Sequence, residues 1–366
     1  MGDDPSIVAG RQCLKCDLPA RYYSVNPKQA VYCRDCYLSM IHHKFSYVIG
    51  KNRVFRDGNK RSVIVVWRGS PSDNFLLHCV EMGVSQNPHK RMEAKPVVVV
   101  ILESVDLERF KIEYGAAKER ELQMAEKWDW KFVPLYGIFG EDVEFLEELR
   151  FDEEKASTLR SLIGKSSAKS DRLELKSLLT ELLVYKVALK LGIDKVMTSD
   201  SADLTAQKSF DAICFGRGAK IAQLASALDT RFPGVTIIRP LRDITDADIG
   251  LSLRLASDAE PTVALNPQVA VKARTIQGLN ADFLSRLQVS GFPSTLSSVI
   301  MTSTKVEAPP VPQPNHPCLL CLDPCPIDKT EDSVRQLCPS CSRLLAAIPS
   351  VPESFYQAIQ IGSPAR

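Results

Sequence analysis

The sequence has no apolar run long enough to cross a bilayer. The longest, "VVVVIL" from Val97 to Leu102, is a fraction of the ~20 residues a membrane helix needs. The opening "MGDDPSIVAGRQC" lacks the apolar core of a signal peptide, so the chain reads as cytoplasmic, with no membrane partner. Strong charge of one sign is also missing. Lys and Arg number 46 against 44 Asp and Glu, a formal net charge of +2, which leaves no global field to draw nucleic acid or membrane. Any such partner must be met by a local patch. No fixed-period repeat marks a solenoid or propeller.

What is present is an ordinary globular composition, 45% hydrophobic and 25% charged over 366 residues, enough for one large domain and smaller modules. The charge is uneven. From Arg11 to Arg61 the only acidic residues are Asp17, Asp35 and Asp57, whereas Glu141 to Glu154 is an acidic stretch that reads as an exposed insertion. There are 11 cysteines, and in a reducing compartment cysteines spaced in pairs point to metal before disulfides. Cys13-x-x-Cys16 and Cys33-x-x-Cys36 can present four thiolates tetrahedrally to Zn²⁺. Cys318-x-x-Cys321 and Cys338-x-x-Cys341 repeat the arrangement near the other end. Four-thiolate sites are closed, so two structural zinc ions are expected, since a catalytic zinc needs an open position. Cys325 and His316 allow a different ligand set at the second site, and four thiolates could also hold an iron–sulfur cluster.

Short apolar runs at Val63–Trp67, Val97–Leu102, Phe132–Tyr136, Lys195–Thr198 and Val235–Ile238 read as strands separated by helical patterns. The clearest helix is Asp171 to Leu191. Its Leu175, Leu178, Leu179, Leu182 and Leu183 form one stripe, with Ser170 or Asp171 to cap its start and Gly192 its end. Strands alternating with helices predict an α/β fold, a doubly wound parallel sheet. The Pro-rich segment "TSTKVEAPPVPQPNHP" reads as a linker. The expected organisation is an N-terminal zinc module with a basic tail over 1–60, the α/β domain over 61–301, the linker over 302–317 and a C-terminal zinc module over 318–366.

After the first strand, where such a domain places a phosphate loop, the sequence reads "VIVVWRGSPSDN". Taken alone, this is a polar strand-to-helix turn. It also resembles the PP-loop pattern Ser-Gly-Gly-x-Asp-Ser in worn form. Arg68 takes the first serine's place, Gly69 is kept, Ser70 replaces the second glycine, Pro71 follows, Ser72 replaces the aspartate and Asp73 the last serine. The lost glycine adds bulk, and Asp73 puts negative charge where phosphate would sit. "IIRPLRDITDADI" (Ile237 to Ile249) resembles the Arg-Pro-Leu segment of tRNA-modifying PP-loop enzymes. Thr198, Ser199 and Asp200 stand where those enzymes carry Gly-His-Asn.

Together with "CLKC…YCRDCYLSMIHHKFSYVIGKNRV" and "FPSTLSSVIMTSTKV", these segments make the chain resemble the cytoplasmic tRNA 2-thiolation protein 2 family, the degenerate PP-loop partner of a catalytic thiolase subunit. The resemblance implies a PP-loop ATPase-like domain and a heterodimer with that catalytic subunit. It also implies 2-thiolation of the wobble uridine of tRNAs for Lys, Glu and Gln, with sulfur from a thiocarboxylated ubiquitin-like carrier. ATP is not expected to bind this chain, and no catalytic residue is assigned. Cys79 and Cys214 are expected to be buried small hydrophobes. Lys44, Lys51, Arg53, Arg56, Lys60 and Arg61, interleaved with Phe45, Tyr47 and Phe55, are the candidate tRNA contacts. Two other functions stay open: a working ATP-dependent PP-loop tRNA sulfurtransferase, and a zinc-ribbon adaptor with no tRNA role.

Overall fold

The computed structural model describes residues 8–24, 28, 30–55, 61–87, 91–124, 128–256, 274–307, 315–326 and 336–360. Its frame is a six-stranded sheet built from β1 (Ser62–Trp67), β2 (Lys95–Leu102), β3 (Asp129–Pro134), β4 (Lys195–Met197), β5 (Leu228–Asp229) and β6 (Thr236–Ile238). The order is β3-β2-β1-β4-β6-β5, parallel throughout except that β5 runs against β6. Val63, Ile64 and Val65 are each fully buried. Neighbours on a strand point to opposite faces, so β1 is covered on both.

The helices are α1 (Arg34–Lys51), α2 (Pro71–Val84), α3 (Leu107–Gln123), α4 (Glu153–Lys165), α5 (Lys169–Leu191) and α6 (Ala202–Cys214). They continue with α7 (Ile221–Ala225), α8 (Asp246–Ala256), α9 (Ile276–Val289), α10 (Thr295–Ser303), α11 (Pro339–Ala346) and α12 (Glu353–Ile359). A hairpin of β7 (Asn315–Pro317) and β8 (Pro324–Pro326) precedes α11. The doubly wound parallel sheet expected from the sequence is the architecture observed. Both cysteine modules pack into its core: Cys13, Cys33, Tyr37 and Ile41 at one end, and Cys318, Cys321, Leu344 and Phe355 at the other, join one buried cluster with the sheet.

Several local expectations shift. The run expected as a strand over Phe132–Tyr136 leaves the sheet at Pro134 and tightens into a 3-10 turn, Leu135–Phe139. Helix α5 starts earlier than its candidate caps, from Ala168, which makes no side-chain cap bond. Ser170 lies within the helix, and its hydroxyl accepts from the Ile276 amide at 3.0 Å, tying α5 to the start of α9. Gly192 closes α5 as expected, with φ +64 in the left-handed region where a side chain is strained. The acidic stretch is more than an insertion. The Leu146 amide donates to Phe132 O at 2.8 Å, and Asp152 caps α4, whose first turn holds Glu153 and Glu154. Residues 308–314 of the Pro-rich segment lie outside the described residues, and α10 carries helix as far as Ser303.

The leucine stripe is the simplest test of this packing. Leu179 is fully buried, so Leu179→Ala should cost about 2–5 kcal/mol, measured as a lower urea midpoint with unchanged slope. A loss under about 1 kcal/mol would mean that α5 does not fill the core as described.

Candidate metal centres and the closed switch-point crevice

In each cysteine module the four Sγ atoms lie within 4.8 Å of one another. Cys16 is 3.6 Å from Cys33 and 3.7 Å from Cys36, and Cys321 is 3.7 Å from Cys338. A disulfide would need about 2.05 Å. A tetrahedron of thiolates at about 2.3 Å from one ion has an edge of about 3.8 Å, which these separations match. The local chain explains the convergence. In both modules the second pair opens a helix: Cys33 is the residue before α1, and Cys338 caps α11 by accepting from the Cys341 amide at 3.4 Å. Backbone amides also reach Cys13 from Lys15, at 3.4 Å, and Cys318 from Cys338, at 3.3 Å. Such N–H groups favour the thiolate form that a metal requires.

The two centres differ in exposure. Cys318, Cys321, Cys338 and Cys341 are all buried, whereas Cys16 and Cys36 of the N-terminal set are partly exposed. Cys325 and His316 pair through their backbones across the β7–β8 hairpin, and their side chains lie outside the described residues.

The second site is where an open α/β sheet binds ligands, at the carboxyl ends of the strands where the winding reverses, here between β1 and β4. Gly69, at φ +84, makes the turn that brings Ser70 to the start of α2, with Pro71 in its first turn. Asp73 then folds back. Its Oδ2 accepts from the amides of Ser70 at 2.9 Å and Arg68 at 3.1 Å, while Ser70 Oγ accepts from the Asp73 amide at 3.1 Å. This is a capping box, and Asp73 is 1% exposed. The amides that would cradle phosphate are already bonded to the chain's own carboxylate. Across the crevice the Ser199 hydroxyl donates to Asp73 Oδ1.

Around this seat the charges are paired. Asp200 receives Lys208 at 3.0 Å and Arg239 at 3.1 Å, and Arg239 also reaches Asp229 at 2.9 Å. Arg68 faces Glu103 at 3.8 Å, and Lys176 reaches the same carboxylate at 2.7 Å. Burial alone would raise the Asp200 carboxyl, but Lys208 and Arg239 together outweigh it and hold it at about 2. The remaining hollow is about 50 Å³, lined by Arg68, Asp73, Thr198, Asp200, Lys208 and Arg239. Small-molecule pockets run about 300–1,000 Å³. The residues present do not fit a nucleoside triphosphate. A larger hollow, about 670 Å³, lies between the N-terminal module and α8, with Arg11, Arg21 and Arg254 on its walls.

The candidate basic residues separate. Lys51 and Arg53 are exposed, with Lys51 Nζ 5.5 Å from the centre of the exposed Tyr47 ring. Lys44 turns inward to Asp248, at 3.7 Å, and to Ser24, while Arg61 pairs with Glu93 at 2.8 Å. Arg56 and Lys60 lie outside the described residues. Cys79 is buried as expected, but Cys214 is exposed, because it ends α6 at the surface beside Asn280. The ion pairs joining Lys208 and Arg239 to Asp200, and Arg239 to Asp229, were not foreseen. Of these, only Arg239 stood in a recognised segment.

Fold and sites together define a doubly wound α/β protein with two four-thiol clusters. A solved structure, U34-tRNA thiolase NcsA from Methanococcus maripaludis with its 4Fe-4S cluster, superposes with a TM-score of 0.56, covering 90% of this chain and 94% of that one at 15% identity. That likeness concerns the fold. A family model described as cytoplasmic tRNA 2-thiolation protein 2 matches residues 275–352. Proteins of that name are 28% identical in Caenorhabditis elegans over 322 residues, 88% of this chain and 92% of the relative, and 27% identical in Homo sapiens over 399 residues, 91% and 76%. Over most of its length the chain is similar to proteins named cytoplasmic tRNA 2-thiolation protein 2. Among the described residues no helix is long and apolar enough to cross a membrane.

The ion pairs of the crevice make a pH prediction. The folded-state pKa of Asp200 is depressed to about 2, so its ionised form stabilises the fold. That contribution is complete above about pH 4 and lost as pH falls through about 2. Asp200→Asn takes one of the two carboxylates from the buried Arg239, which keeps Asp229, and the carboxylate of Lys208, and should cost about 1–3 kcal/mol near neutral pH. Urea melts of the variant should also show a flatter acid limb than the parent. Equal acid limbs would remove Asp200 from the network.

Proposed function

We propose that this chain is the non-catalytic subunit of a cytoplasmic tRNA 2-thiolation complex. It forms a heterodimer with a catalytic PP-loop subunit that thiolates C2 of the wobble uridine of tRNAs for Lys, Glu and Gln, using sulfur from a thiocarboxylated ubiquitin-like carrier. The observation that carries this reading is the Asp73 carboxylate bonded to the loop amides of Arg68 and Ser70. Thiolation needs the C2 oxygen activated by adenylation, and a loop whose donors are already taken offers no seat for the triphosphate that does this. The same observation weighs against the chain being a working sulfurtransferase on its own. The names of the relatives support the tRNA-thiolation role and the cytoplasmic setting.

Each four-thiol centre holds one zinc ion in this reading, with Cys13, Cys16, Cys33 and Cys36 at the first and Cys318, Cys321, Cys338 and Cys341 at the second. Zinc there supplies folding energy and no open coordination position. A four-iron cluster sets each thiolate on a different iron and spreads the sulfurs further apart than a single ion does, so the 3.6–3.7 Å separations favour one ion. The modules span 1–60 and 318–366, with 61–301 as the degenerate PP-loop domain and 302–317 as the linker. Lys51 and Arg53, with Tyr47 beside them, are the tRNA contacts.

Reconstitution tests the function. Added to the catalytic subunit, ATP and sulfur donor, this chain should raise tRNA thiolation, while the isolated chain should show none. Equal activity of the catalytic subunit without it would end the subunit reading. Reversing both charges, Lys51→Glu with Arg53→Glu, should weaken tRNA binding by the complex and lower its salt slope by about one per lost phosphate contact. Unchanged binding would take these residues out of the interface.

A further inference from the structure

The thiols of the C-terminal module are wired to the α/β core. Cys321 Sγ stands 3.3 Å from Asp323 Oδ2. Two cations of the core hold that carboxylate: Arg231, which follows β5, at 2.8 Å, and Lys220, in the 3-10 turn Gly218–Lys220 after α6, at 3.6 Å. Their side chains are only 5% and 6% exposed. Arg231 forks onto Asp229 at 2.9 and 2.7 Å. From Asp229 the pairs continue through Arg239 and Asp200 to Lys208 at the crevice. Signs alternate from Lys220 to Lys208, so the chain of charges holds one cation more than its carboxylates. One of its two ends, Lys220, meets the same Asp323 Oδ2 that Cys321 Sγ faces.

That surplus has a physical use. Four thiolates around one divalent cation leave two net negative charges, and burying them is costly unless positive charge lies close. All four C-terminal cysteines are buried, whereas water can reach Cys16 and Cys36 at the other centre. We propose that Lys220, oriented by Asp323 and backed by Arg231, is the built-in counter-charge of the C-terminal metal centre. The α/β core, and not the small module alone, then sets how tightly that centre holds a divalent ion. The inference rests on the reading of these cysteines as metal ligands. It adds that the two centres differ in kind, one screened by water and one by buried core cations.

The test uses the full chain as purified, with bound metal measured first. Iodoacetamide labelling in the presence of EDTA, resolved by mass spectrometry at each cysteine, reports metal loss separately at the two centres. Lys220→Met removes the charge and keeps most of the stem, while Lys220→Arg keeps the charge. The methionine variant should label Cys318, Cys321, Cys338 and Cys341 about 10–100 times faster, the range for lost partners of metal ligands. Cys13, Cys16, Cys33 and Cys36 should keep the parent rate, and the arginine variant should stay near the parent at both. Unchanged labelling of the C-terminal set in Lys220→Met would overturn the proposal, and so would equal acceleration of both sets, which reports general loosening. A parent chain isolated without metal at either centre would instead fail the ligand reading, and the proposal with it.

Discussion

A parallel sheet covered on both faces can open to chemistry only at the ends of its strands, and in this chain that opening is filled from within. The Asp73 carboxylate bonds to the amides that follow β1, and Ser199 fastens it from β4's side. Arg239 and Lys208 then neutralise Asp200 beside it. A helix N-terminus attracts anions whatever their source. Here the anion is a side chain one turn away, which pays no cost of binding from solution. The same residues that make a good helix start make a poor nucleotide seat.

This closure changes what the cysteine modules mean. They are not appended to a separate domain, since both pack into the core that carries the sheet. At the C-terminal end the join is electrostatic as well as apolar. The Ser340 hydroxyl and Arg343 of α11 donate to Phe215 O, and Asp323 meets Arg231.

Much of the frame was legible in the sequence because it rests on local periodicity. The Val and Ile runs gave five of the six strands, and the leucine stripe gave α5. β5 was missed because Leu228 and Asp229 carry too short a pattern to register. The third strand ended early because Pro134 is followed by the tightening of Leu135–Phe139. The cap of α5 was misplaced because the hydroxyl of Ser170 is used by a distant segment, at Ile276. Among the basic residues, charge alone could not separate Lys51 and Arg53, which face water, from Lys44, which turns to an aspartate 204 positions along the chain at Asp248.

The sequence by itself determined the things that spacing and side-chain chemistry decide: paired thiols that could hold two metal ions, a doubly wound sheet, and a polar turn after the first strand that carries Asp73. Only the tertiary structure decided where that aspartate's charge goes, and that Asp200, Asp229, Arg231, Arg239 and Asp323 form one buried run of ion pairs from the crevice to the C-terminal cysteines. The reason is range. Hydrogen bonds within a helix turn follow from neighbours in the chain, whereas a buried ion pair depends on which distant segments the fold brings within about 4 Å and shields from water.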